Sequence, residues 1–306
     1  MSSIPRKVCV AIVGALAACV VLIPAAPASA QLNGLWEPFD RCPVDTPAML
    51  AVNGDTDDVL CVAANSPNGE IKLGNTTATT GATSLQIGGV SDENGDVTAY
   101  QPAGGALVAE PTDVPGGLTG LMCPSEDPVV VAVCDLVTNN DLNRVTANVQ
   151  PAGNPTDFKP FNGLSVGQPI ITVPVKVHLQ NPLLGANCTI GSDADPILLR
   201  PRNTATPTFA QPRAELDGTP NPTGPLVRIT TQAPQGDDTF AVPGANDCGV
   251  LGLLDEAINL QQGLPSPSGN NHLVLNDGTS HIMTSGLAVV TGQQFADGYH
   301  AAEQQP

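Results

Sequence analysis

The sequence predicts a mainly β, disulfide-stapled, β-sandwich-like domain with one or two short helices. Three observations predict it. The first is Ile170–Gln180, where Ile171, Val173, Val175, Val177 and Leu179 alternate with Thr172, Pro174, Lys176, His178 and Gln180. A period of two puts one face of a strand on a core and the other in water. Pro174 falls on the outward face and cannot donate to a ladder, which predicts an edge strand or a bulge. The second is a set of six cysteines beyond residue 30: Cys42, Cys61, Cys123, Cys134, Cys188 and Cys248. The third is punctuation, since short apolar runs alternate with turns rich in Gly, Pro, Asn and Asp.

Residues 1–30 read as a secretory signal peptide. Arg6 and Lys7 precede the apolar run Val8–Ile23, and Ala28-Ser29-Ala30 has the small-x-small pattern of a cleavage site. A second reading places a lipid on Cys19, because Leu16-Ala17-Ala18-Cys19 resembles a lipobox. The run continues apolar through Val20–Ile23, whereas a lipidated cysteine opens a polar tether, so cleavage after Ala30 is expected. Removing 30 of the 306 residues leaves 276, with 29 acidic and 9 basic side chains and a formal charge of −20. No later stretch approaches a membrane span. Such a chain is repelled by nucleic acid and by anionic lipid surfaces.

Taken in order, the mature chain opens on the aromatic cluster Trp36, Pro38 and Phe39. Met49–Val52 and Val59–Ala63 are expected strands around the acidic turn Asn53–Asp58. That turn resembles the start of a calcium loop, but Asp58 stands where glycine should and Ala64 where the bidentate glutamate should. Further strands are expected at Ile71–Leu73, Ala82–Val90, Ala106–Glu110 and Arg144–Gln150, with a turn at Asp92–Asp96. Within Pro124–Asn140, Asp127-Pro128 is a good helix start and predicts a short helix. Pro151–Pro160 is the expected boundary if the domain has two lobes. Arg200–Pro225 holds six prolines and no alternation, and reads as a long exposed loop. Short strands at Val227–Ile229 and Phe240–Val242 precede a helix at Cys248–Gln262. That helix would be capped by Asp247, striped by Leu251, Leu254 and Ile258, and stopped by Gly263. Strands at His272–Asn276 and Ile282–Thr291 close the fold, and the tail after Phe295 is expected to fray.

An even number of cysteines in an exported chain reads as a disulfide framework. Six cysteines allow 15 connectivities, of which the sequential one is expected: Cys42–Cys61, Cys123–Cys134 and Cys188–Cys248. There is no C-x-x-C and no histidine beside a cysteine, which argues against a metal site.

One motif carries catalytic meaning. Gly163-Leu164-Ser165-Val166-Gly167 matches G-x-S-x-G, so Ser165 is the candidate nucleophile of a secreted serine hydrolase. The chemistry needs strand, sharp turn and helix, and here Gln168-Pro169 and a β-branched strand follow. His178, His272, His281 and His300 are scattered, and no pair has metal spacing. No phosphate loop or dinucleotide fingerprint is present, so no cofactor is expected. With 3% aromatic residues the chain also has few rings on which to stack sugars.

Pro38–Leu50, Leu121–Pro128, Asp141–Gly153, Val175–Pro196, Asp238–Gly249 and Gly263–Leu273 resemble segments of secreted actinobacterial proteins without an assigned function. The resemblance implies export and an intact disulfide set, and brings neither catalytic residues nor a ligand. The expected function is that of a secreted or cell-envelope structural or interaction protein without catalysis, acting on an envelope or extracellular partner. Two other readings stand beside it: the Ser165 hydrolase, and a carrier holding an apolar envelope lipid between its sheets.

Overall fold

The computed structural model describes residues 31–137, 141–286 and 288–303. The expected leader with Cys19 and its cleavage site lies outside them, as do residues 138–140 and Leu287 from two expected elements. The described chain is mainly β, in three antiparallel sheets.

Two of those sheets are halves of one. In the first, Thr208–Ala210, Leu226–Gln232, Thr279–Thr284, Asp58–Ser66 and Thr83–Ser91 lie side by side in that order, with Val97–Tyr100 beyond. In the second, Arg202–Asn203, Gln235–Asp237, His272–Asn276, Asn68–Leu73 and Thr76–Thr80 follow the same order. Each strand passes to its counterpart through a short break, at Pro67, Gly81-Ala82, Ala233-Pro234, Asp277-Gly278 and residues 204–207. Strands that switch sheets through bends are how corners are made in β packings. The residues at the breaks suit the task. Pro67 and Pro234 have no N–H to lose, Asp277 takes a left-handed φ of 49°, and the Ala233 N–H donates to the Gly278 carbonyl at 3.0 Å. The buried Ser66 hydroxyl sits 2.9 and 2.7 Å from the carbonyls of Asn68 and Asn276, inside the corner.

The third sheet orders Ala245–Asn246, Thr189–Ile190, Val173–Gln180, Thr146–Pro151 and Thr112–Asp113, with Ile197–Leu199 also on Val173–Gln180. Its Val173, Val175, Val177 and Leu179 meet Leu60, Val62, Ile71, Ile87 and Leu273 in the larger core. The alternation in this strand therefore marks the core face, but the strand is interior. Thr146–Pro151 pairs on one side and Ile197–Leu199 with Thr189–Ile190 on the other. Pro174 is buried there, opposite Leu198. Its carbonyl accepts the Ala152 N–H at 2.9 Å. A strand residue's N–H and C=O point to one side, so the missing donor faces the end of Thr146–Pro151, where the ladder stops.

The first sheet is covered on its other face too. Val59, Cys61, Ala63 and Met283 pack there with Trp36, Phe39, Met49, Phe295 and Tyr299 in a second core. A strand buried on both faces reads as a continuous apolar run, which is why Val59–Ala63 shows no alternation. Two helices belong to this layer, α1 (Pro47–Leu50) and, at the chain's end, Gly292–Glu303. Between them in sequence come α2 (Gly117–Met122), α3 (Pro128–Val137) and α4 (Asp255–Gln262), so the last is α5. Met49–Val52 is thus the end of a helix and its exit, opened by Pro47 at the first turn, and not a strand. The tail after Phe295 is helical as far as Glu303, where the expectation was fraying. Phe295, Ala296, Tyr299 and Ala302 form a buried face against Trp36, and Tyr299 Oη donates to the Phe39 carbonyl at 3.1 Å.

Three other expectations change. The segment 151–160 parts no lobes: Gln31–Pro306 is one contact unit, Thr156 bridges Thr172, and Phe158 is buried in the larger core. Arg200–Pro225 is pinned by three short strands and by Asn203 and Ala214, both buried. Phe240 and Val242 are buried, yet only an isolated bridge from Val242 to Ser266 forms, and the strand lies at Gln235–Asp237 instead.

The six cysteines pair sequentially, Cys42–Cys61, Cys123–Cys134 and Cys188–Cys248. The first ties the opening segment to the first sheet. The second joins the end of α2 to α3. The third joins the loop after Val173–Gln180 to the approach of α4.

Candidate functional site

Ser165 closes a 3-10 turn, Pro160–Leu164, that enters extended chain and no helix. Its N–H and its hydroxyl both donate to the Asn162 carbonyl, at 3.0 and 3.1 Å. The buried Asn203 amide holds the turn from beneath through the carbonyls of Gly163 and Ser165, at 2.8 and 3.0 Å. Ser165 itself is exposed.

Each histidine is engaged elsewhere. His178 contacts the Ala186 carbonyl, His272 meets Glu70, and His300 lies between Asp45 and Glu303. Hydrogen bonds accepted by the Asp45 and Glu303 carboxylates raise the His300 pKa. His281 packs against the Phe39 ring and shares a hydrogen bond with Thr230 at 3.0 Å. Burial, helped by the nearby Arg228 charge, pushes its pKa down to about 4, so it is neutral at physiological pH. The structure brings none of the four to Ser165. A serine needs an adjacent base to become a nucleophile. Ser165→Ala should therefore shift stability by no more than about 0.5 kcal/mol, and a fluorophosphonate probe should leave the wild-type protein unlabelled. Stoichiometric labelling lost in Ser165→Ala would refute this. Among the described residues no three His, Cys, Asp or Glu side chains are grouped to hold a metal ion.

Two features that sequence reasoning missed are more promising. The first is a groove of about 580 Å3 between the α3 and α4 segments. Its floor and walls are Pro124, Val130, Leu253, Ala257 and Leu260, and its rim carries Glu126, Asp127 and Glu256. Leu253 enters this wall from a loop, because Cys248–Gln262 is not one helix. Asp247, Gly249, Leu251 and Gly252 all take left-handed φ, and α4 begins only at Asp255. Asp247 is thus no cap. Asp255 accepts the Cys248 N–H at 2.7 Å and holds the loop. Leu254 and Ile258 still point to the core and Gly263 still ends the helix, at φ 62°. Leu251 does not join the stripe. It is 96% exposed, and Leu253 and Leu260 are 60% and 83% exposed. Leucines off the buried stripe were the one available signal.

The second feature lies on the inner side of the sheet corner. Three adjoining voids of about 100, 70 and 40 Å3 lie between the folded sheet and the third sheet. The largest is lined by Ala64, Ser66, Thr80, Leu85, Ala109 and Val173, among others. Small side chains on inward strand faces, Ala64, Ala78, Ala109 and Ala147, leave this space open.

Comparison of the chain with protein-family models, curated proteins and solved structures returned no match.

Proposed function

We propose that the chain is an exported recognition protein, working by binding and without catalysis, and that the α3–α4 groove is where it docks a partner. The groove carries the reading. Large apolar side chains exposed together on a polar-rimmed surface mark interaction sites. Here Leu253 and Leu260 are exposed on one wall and Pro124 on the other, above the buried Val130. Neither Pro124–Val137 nor Asp247–Gln262 contains a Lys or Arg, so the rim acids have no local counter-charge in sequence. The occupant is accordingly an amphipathic segment of another envelope or extracellular protein, apolar on one face and basic on the other. Two disulfides brace the walls, Cys123–Cys134 beside Pro124 and Cys188–Cys248 ahead of Leu253. Rigid support of an exposed site lowers the ordering cost of binding.

Fluorescence anisotropy with two model helical peptides tests the reading. Both carry the same leucine stripe, one with a lysine face and one with a glutamate face. The lysine peptide should bind at least about tenfold tighter, a difference of about 1.4 kcal/mol, and weaken as salt rises. Leu260→Asp should reduce its affinity by a similar factor without lowering Tm, since Leu260 makes little of the core. Equal affinity for both peptides, or indifference to Leu260→Asp, would overturn the proposal.

A further inference from the structure

We infer that the corner voids are a binding site for an unbranched, uncharged acyl chain such as a fatty ester, separate from the docking groove. Shape argues for a chain. The first and second voids share Ile71, Thr80, Thr83, Ala109 and Val149 in their walls, and the first and third share Ala64, Leu85, Pro201 and Gln235. They run in series from the Pro160–Gly163 turn to Gln262 of α4. A dry apolar cavity of about 150 Å3 takes up benzene. None of these voids alone reaches that size, but together they exceed it, which suits methylenes in file and not a ring.

Chemistry narrows the class. The walls are overwhelmingly aliphatic, so the body of the ligand is apolar. At the junction of the first two voids, the Thr80 hydroxyl is buried and has no hydrogen-bond partner. A buried polar group of this kind calls for an explanation, because nearly all such groups are paired. An ester carbonyl in the void would accept a hydrogen bond from it. Glu110 lines the second void, and the mature chain carries a formal charge of −20, so a free carboxylate is disfavoured there. The fold supplies the reason the space exists. Asn65 and Ser66, Thr80 and Thr83, Gln235 and Leu275 flank the breaks where the strands turn, and the inside of that turn is not filled from the third sheet.

The test uses the full mature protein and linear, intrinsically fluorescent parinaric acid methyl ester, with methyl decanoate and decanoic acid as competitors. One ester should bind per chain and be displaced by methyl decanoate at least ten times more readily than by decanoic acid. Ala109→Leu and Ala64→Leu fill the voids. Each should weaken ester binding at least tenfold while keeping or raising Tm, which separates filling from unfolding. Thr80→Val should weaken the ester severalfold and also leave Tm unchanged or higher, since it removes an unpaired hydroxyl. Absence of saturable ester binding, equal displacement by decanoic acid, or unchanged affinity in both filling variants at intact Tm would overturn the inference. None of these outcomes bears on the groove, whose peptide assay is read independently.

Discussion

Trp36→Ala should destabilise the protein by about 3–5 kcal/mol, the range for emptying a buried aromatic site. Trp36 is fully buried and stands edge-on to Phe39, Phe295 and Tyr299, with ring centroids 5.9, 4.9 and 5.4 Å away. Its Nε1 donates to the Leu216 carbonyl at 2.9 Å. Gly218 lies flat against the indole, where a Cβ would come within 2.6 Å of the ring. Alanine would therefore empty the site, orphan a carbonyl and release the face that holds α5. Edge-on aromatic pairs add about 0.5–1.5 kcal/mol beyond area burial, which favours the upper half of the range. Trp36 is the only tryptophan, so urea unfolding of the variant must be followed by far-UV circular dichroism. Limited proteolysis should cut first within Gly292–Glu303 of α5. A loss below about 1 kcal/mol, or a protease-resistant α5, would show that this core does not hold the helix.

The second large effect is expected from Cys188→Ala with Cys248→Ala. The two cysteines are 60 residues apart, for which the chain-entropy model gives about 4 kcal/mol. Removing Cys123–Cys134, whose partners are 11 residues apart, should cost nearer 3 kcal/mol by the same model. Alanine is the right replacement because Cys188 and Cys248 are both fully buried, where a serine hydroxyl would need a partner. The longer staple also has a local duty. Gly249 donates to the Leu184 carbonyl at 2.7 Å and Leu254 to that of Cys248 at 3.0 Å, so the exposed loop before α4 hangs from this bond. The variant should lose affinity for the lysine-faced peptide as well as stability. Chemical denaturation reads the first effect and anisotropy the second. Stability lost by less than 1 kcal/mol would show that the denatured chain gains little freedom when the loop opens.

Strand positions at Ile71–Leu73, Val59–Ala63 and His272–Asn276 were legible because alternation and apolar runs are properties of adjacent residues. So was the start of α3, where Asp127 accepts from the N–H groups of Val129 and Val130 at 2.8 and 3.2 Å. The G-x-S-x-G match was legible as a motif and discounted on its following residues. In the structure the Ser165 hydroxyl donates to the Asn162 carbonyl. The groove was not legible, since a helical stripe through Leu251 matched the pattern of Leu254 and Ile258. Four left-handed residues stand where that helix would start, and one of them, Leu251, carries a side chain that rarely accepts such a backbone.

By itself the sequence determined the mainly β class, the core face of Val173–Gln180, the ends of α3 and α4 marked by Asp127 and Gly263, and an even cysteine set suited to sequential staples. These follow from the two- and 3.6-residue periods and from capping, which act over a few residues. Only the tertiary structure decided that Pro174 lies inside a sheet, that the chain's end is a docked helix, and that five strands of one sheet pass through short breaks into five of another to make a corner. Each depends on what another part of the chain supplies. Pro174 is tolerated because its neighbour strand stops beside it, and α5 is held because Trp36 waits some 260 residues upstream. The corner leaves its voids because alanines from separate strands meet where the sheet turns. Such coincidences cost chain entropy that only collective burial repays, so no local pattern announces them.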